Sequence, residues 1–153
     1  RVVALLAPIL GEAALDLVVG AAAPSLPALR ALAAEDPRLA LHVDAQDMPR
    51  LVLEADLAIG AGGSTTWERC VLALPALTLI LADNQIAAAH ALEAAGVTPC
   101  LDLNAADFET AFVALAQSLI TDADRRAALS ASSATVCDGR GADRVAEAFW
   151  GLI

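Results

Sequence analysis

Asp56-Leu-Ala-Ile-Gly60-Ala-Gly-Gly-Ser-Thr-Thr-Trp-Glu68 is the stretch on which the fold turns. Residues 56–59 form a short apolar run of strand length, and the glycines break it. A helical segment then begins near Thr66 and runs to Leu74. A buried strand that passes through glycines directly into a helix is the usual junction of a parallel α/β sheet. Gly60, Gly62 and Gly63 carry no Cβ, so backbone there can approach a ligand closely. Ser64, Thr65 and Thr66 add hydroxyls beside N–H groups at the positive end of a helix, a setting that suits a phosphate. The loop holds no Lys and does not follow G-x-G-x-x-G. It is therefore neither a Walker A loop nor a dinucleotide fingerprint. The same residues also suit a plain tight turn, with Thr65-Thr-Trp-Glu68 as a capping box.

Outward from this junction, strand and helix patterns alternate. Val2, Leu5, Leu6, Ile9 and Leu10 recur at helical spacing up to Gly11. Strands are expected at residues 15–19, 39–43, 56–59, 76–81 and 99–103. Helices are expected at residues 24–34, 48–54, 66–74, 85–95, 106–120, 122–135 and 143–152. Ser25 and Asp47 are candidate caps. The alternation predicts a doubly wound parallel α/β sheet. In such sheets ligands sit beyond the strand C-termini, which singles out residues 60–66 and Asp83-Asn84-Gln85.

Composition narrows the function. The 153 residues suit a single domain, and 58% are hydrophobic, with no apolar run near the ~20 residues of a membrane span. Aromatics are only 3%, so the core is aliphatic. A net charge of −10 disfavours nucleic acid, whose backbone an acidic surface repels. Cys70, Cys100 and Cys137 form no C-x-x-C pair and read as reduced, buried thiols of a cytoplasmic protein. His42 and His90 have no ligand-spaced neighbour, so no zinc site is expected. The chain opens at Arg1 within a helical pattern, and the expectation is a piece of a longer protein.

Several side chains have both a functional and a structural reading. Glu68 suits a pair of ribose hydroxyls, or the capping box. Arg69 suits a phosphate counter-charge, or solvent. Trp67 reads as core packing. Asn84 and Gln85 carry amides that donate and accept together, as sugar hydroxyls and acetamido groups require. Asn84 also suits the cap of the next helix, and Asp83 a helix start. His90 reads as a helix-surface residue, and Asp138-Gly-Arg-Gly-Ala-Asp143 as a turn followed by a cap.

The run from Asp47-Met48 through Asp56 to Gly60-Ala-Gly-Gly-Ser-Thr-Thr-Trp-Glu68-Arg-Cys70 resembles the UDP-sugar hydrolase of pseudaminic acid biosynthesis. Leu74-Pro75, Ala82-Asp-Asn-Gln85 and Asp138-Gly-Arg-Gly-Ala-Asp-Arg-Val145 extend the likeness over most of the chain. A looser resemblance reaches the N-acetylglucosaminyl transferase that makes lipid II. The resemblance implies the C-terminal, Rossmann-like half of a GT-B-type enzyme, lacking its first strand and its catalytic N-terminal domain. It implies a diphosphate on Gly62, Gly63, Ser64 and Thr65, a ribose on Glu68, and uracil near Val43, Asp44 and Met48. The sugar would meet Asn84 and Gln85. No catalytic residue, metal or cofactor is carried over to this chain. The implied reaction releases UDP and a 2,4-diacetamido-2,4,6-trideoxy hexose from the UDP-sugar, toward pseudaminic acid for surface polysaccharide or flagellin. A glycosyltransferase donor domain and a non-catalytic nucleotide-sugar-binding module are the two other readings.

Overall fold

The computed structural model describes residues 1–151. Helix α1 (Val2–Leu6) runs into a 3-10 turn (Ala7–Ile9) and does not continue as one helix to Leu10. Pro8 is the cause, because it lacks an N–H and its ring collides with the carbonyl four residues back. Then follow β1 (Leu15–Val19), α2 (Leu26–Glu35), β2 (Leu39–Val43), α3 (Met48–Glu54) and β3 (Ala58–Ala61). The chain continues through α4 (Thr65–Val71), β4 (Ala76–Ile80), α5 (Asp83–Ala94), β5 (Cys100–Asp102), α6 (Phe108–Thr121), α7 (Ala123–Ser133) and α8 (Gly141–Trp150). The expected helix end at Leu152 lies outside the described residues.

Every strand pair is parallel, as the alternation predicts. The strands form two ladders, β1–β2 and β3–β4–β5, and β1 has no backbone pairing to β3 among the described residues. β4 lies between two partners and is buried at all five positions. β3, paired on one side only, is half-buried throughout. One core lies against β4, where Leu77, Leu79, Phe108, Phe112, Ala116 and Leu119 pack with Leu6 of α1. A second cluster joins Leu10, Leu17, Leu29 and Leu39 around the β1–β2 ladder, and Leu15 packs against both clusters. α8 buries no side chain, and Val145, Phe149 and Trp150 are exposed.

Several boundaries differ from expectation for identifiable reasons. β3 begins two residues late and includes Gly60 and Ala61, because the ladder to β4 continues to the Ala61–Leu79 pair. α4 stops at Val71, not at residue 74. Ala73 turns left-handed (φ 53°), and the N–H groups of Ala73 and Leu74 return to the carbonyls of Cys70 and Arg69. This pattern closes a helix ahead of Pro75. α5 opens at Asp83, so Asn84 lies inside its first turn and is not the cap. Ser25 and Asp47 make no capping bond; the Asp47 carboxylate is taken by Arg50 at 3.1 Å. Among the described residues no helix is long and apolar enough to cross a membrane.

Candidate functional site: the loop after β3

The loop between β3 and α4 lies at the C-terminal edge of its ladder, beside the turn that joins β4 to α5. Gly62 brings the two turns together. A Cβ on Gly62 would lie 3.2 Å from Cγ2 of Thr78 and within 3.8 Å of Gln85. The tight approach is to Thr78, while Gln85 lies at ordinary van der Waals distance over the loop. Gln85 is itself anchored, since its Oε1 accepts the Leu81 N–H at 2.9 Å. The loop and Gln85, well separated in sequence, therefore share one surface.

The amides of the loop divide into two sets. Gly62 donates to Leu79 at 3.0 Å, so its N–H belongs to the ladder and it contributes space, not a donor. Thr66 and Trp67 donate to Gly63 and Ser64. The N–H groups of Gly63, Ser64 and Thr65 donate to nothing among the described residues, and all three residues are exposed. Consecutive free N–H groups in a tight turn make a concavity suited to an anion.

Arg69 lies behind this loop. It is 7% exposed, and its Nη2 donates to the carbonyl of Ala61 (3.2 Å) and to Oγ1 of Thr66 (3.0 Å). Burial lowers its pKa from the ordinary guanidinium value. Sequence reasoning left it between a phosphate counter-charge and a solvated side chain, and the structure removes the solvated reading. The signal was available, because Thr66, Arg69 and Cys70 fall at i, i+3 and i+4, the inward stripe of α4. Trp67, expected in the core, lies on the opposite face and is 46% exposed. Glu68 is exposed on that same outer side and makes no capping bond, so the capping box does not form.

The remaining candidates are more scattered. Asn84 is exposed one residue before Gln85. Val43 and Asp44 end β2 in the other ladder. Asp44 adopts a left-handed φ of 50°, and its Oδ1 accepts the Ala21 N–H at 2.8 Å. The Asp44 carbonyl accepts from Gln46 at 2.8 Å, and Met48 begins α3. No hydrogen bond joins this group to the glycine loop. His42 pairs with Asp16 at 2.6 Å on the β1–β2 ladder, and His90 lies on the α5 surface, 3.5 Å from Glu93. Neither meets the loop. Among the described residues no group of three His, Cys, Asp or Glu is placed to hold a metal ion.

The three cysteines are free. Cys70 is buried, whereas Cys100 and Cys137 are half-buried, short of the full burial expected. Burial pushes the Cys100 thiol up to about 11. A shallow cavity of about 280 Å³ opens among Ala55, Asp56, Leu74, Pro75 and Arg126. It lies before β3 and β4, at the N-terminal edge, away from the ligand edge of parallel sheets.

Parallel strands flanked by helices, with a glycine turn at the C-terminal edge of one ladder, make a Rossmann-like α/β architecture. No family model matches the chain, and no curated protein does. Among solved structures it is similar to the glycotransferase of kitacinnamycin, with a TM-score of 0.51 at 19% identity. That match covers 90% of this chain but 44% of the other, so this chain spans less than half the length of the glycotransferase. At this identity the likeness is one of fold.

Proposed function

We propose that the chain is the nucleotide-sugar-binding half of an enzyme that cleaves or transfers the sugar of a UDP-sugar. The observation that carries this reading is the set of free N–H groups on Gly63, Ser64 and Thr65, next to Gln85. The diphosphate takes those donors, and Gly62 gives it room to approach. Gln85 and Asn84 meet the sugar, Glu68 the ribose, and the Val43–Asp44 backbone with Met48 the uracil.

In the hydrolase reading, water attacks the anomeric carbon and the bond from that carbon to the β-phosphate oxygen breaks. UDP leaves with the bonding pair, and a base takes the proton from water. Donors already aimed at the leaving diphosphate stabilise the charge that develops there. His42 and His90 both lie away from the loop, and the resemblance in sequence puts the base in a companion domain. The resemblance in sequence favours water as the acceptor and a 2,4-diacetamido-2,4,6-trideoxy hexose as the sugar. The likeness in fold to a glycotransferase favours the transferase reading, in which a second sugar replaces water.

The test is UDP release from the diacetamido sugar nucleotide by this chain and by a two-domain homologue of the hydrolase. This chain should be slower by at least the ~10²–10⁴-fold that positioned acid–base catalysis supplies. Turnover within about tenfold of the homologue would place the base in this chain. Release that requires an added sugar acceptor would establish the transferase.

A further inference from the structure

Arg69 is a buried cation without a counter-ion. Its residue is 7% exposed, and among the described residues it makes no ion pair. Its Nε is fully buried and has no hydrogen-bond partner. A buried charge without a partner carries a desolvation cost that folding alone does not explain. A cavity of about 10 Å³ borders Arg69 among Thr66, Thr78, Thr98 and Ser133. That space is about the size of one water. A water there would satisfy the Nε–H group but supply no counter-charge, and the exposed Glu68 carboxylate attracts the guanidinium without pairing with it.

The position of the charge points to its partner. The guanidinium lies directly under the loop: Nη2 holds the Ala61 carbonyl and the Thr66 hydroxyl. Nη1 is so close to Gly60 that a Cβ there would be 2.8 Å away. The loop's free N–H groups lie just beyond, on Gly63, Ser64 and Thr65. In a chain of net charge −10, this is a fixed positive charge set immediately behind backbone donors.

We infer that Arg69 is a positioning residue that completes the loop's anion site from behind, its guanidinium balancing the charge of a bound diphosphate across the Gly60-Ala61 backbone. The inference rests on the diphosphate reading above and adds the source of the site's positive charge. Arg69 does not touch the ligand. It fixes the direction of the Ala61 carbonyl and supplies field in a place that water does not screen.

The test compares wild type with Arg69→Met and Arg69→Lys, using UDP and inorganic pyrophosphate as probes, with the thermal midpoint of the ligand-free proteins measured alongside. Wild type should bind both probes. Arg69→Met should lose roughly tenfold or more in affinity for each, as expected for a unit charge acting at short range in a poorly screened site. Its binding should also become less sensitive to salt. Its ligand-free midpoint should hold or rise, because an apolar isostere replaces an unpaired buried charge. Arg69→Lys should recover much of the affinity. Affinity for both probes within twofold of wild type in a folded Arg69→Met would overturn the inference while leaving the diphosphate site standing. So would a lower midpoint in Arg69→Met together with no recovery in Arg69→Lys, which would make Arg69 a structural strut. Failure of wild type to bind either probe would remove the diphosphate reading, and this inference with it.

Discussion

Two buried regions flank β4, and they are built on opposite principles. On one side Phe108 and Phe112 stack at 5.5 Å between centroids, with Leu77, Leu79 and Leu119 around them. On the other, Cys70, Leu92 and Val97 form a smaller apolar cluster, but beside it Thr78 bonds Thr98 at 3.0 Å and Arg69 keeps its Nε unpaired. The first region yields stability directly from burial. The second pays desolvation for polar groups held behind a loop. A charge kept inside at such a cost is the feature that the proposed anion site would account for.

The largest test of this contrast is Phe112→Ala. Phe112 is fully buried, and removing such a ring costs about 3–5 kcal/mol. Denaturant melting should show the midpoint fall sharply, with no specific change in ligand binding for whatever fraction stays folded. A loss below about 1 kcal/mol would mean the α6 core is loosely packed.

Gly60→Ala acts on the other region. The new Cβ would sit 2.8 Å from Nη1 of Arg69, so the guanidinium must shift against the two hydrogen bonds that hold its Nη2. Overpacking of this kind costs about 1–3 kcal/mol. The expected result is a lower thermal midpoint together with weaker UDP binding. An unchanged midpoint would show that Arg69 has room to move.

Glu68 sharpens the contrast from the exposed face. Because it makes no capping bond, Glu68→Gln should cost little stability, less than about 1 kcal/mol for the lost charge in the first turn of α4. It should weaken UDP binding by about 1.5–3 kcal/mol, the worth of a charge-assisted bond to a hydroxyl. Equal UDP affinities by calorimetry would remove Glu68 from the ribose site.

The smallest effect belongs to the turn before α8. The Arg144 guanidinium, helped by the Arg140 N–H, holds the Asp138 carboxyl at about 2, below its usual 3.8. A depressed pKa means that the folded state favours the charged form. The contribution is therefore complete above about pH 4 and is lost as pH falls through about 2. Corrected for the intrinsic pH dependence of exchange, the protection of α8 amides should fall over that window while the α6 amides stay protected. Uniform exchange in both helices would contradict this local account.

Much of the fold was legible because short, mostly apolar runs alternate with helical patterns, even where, as in β1 and β2, only Leu17 and Leu39 are buried. Residues 15–19 and 39–43 match β1 and β2 on that signal alone. The end of β3 was not legible, because glycine reads as a break while the Ala61–Leu79 pairing, invisible in one dimension, carries the strand on. The glycine loop stood out as a site for the same reason that its strand boundary was missed. Trp67 and Arg69 were read by residue type, the apolar one inward and the charged one in solvent or against a phosphate. Helical phase places them the other way, because Arg69 shares the inward stripe with Thr66 and Cys70. The convergence of Gln85 on Gly62 depends on the β3–β4 register, which no local pattern encodes.

In the proposed site the loop's amides, with Arg69 behind them, hold a diphosphate without help from a cation. Calorimetry of UDP binding to this chain, in chelator and again in excess Mg²⁺, tests it most directly. Saturable one-to-one binding in chelator, little changed by the metal, is the predicted result. Binding that appears only with Mg²⁺, or none in either buffer, would contradict it.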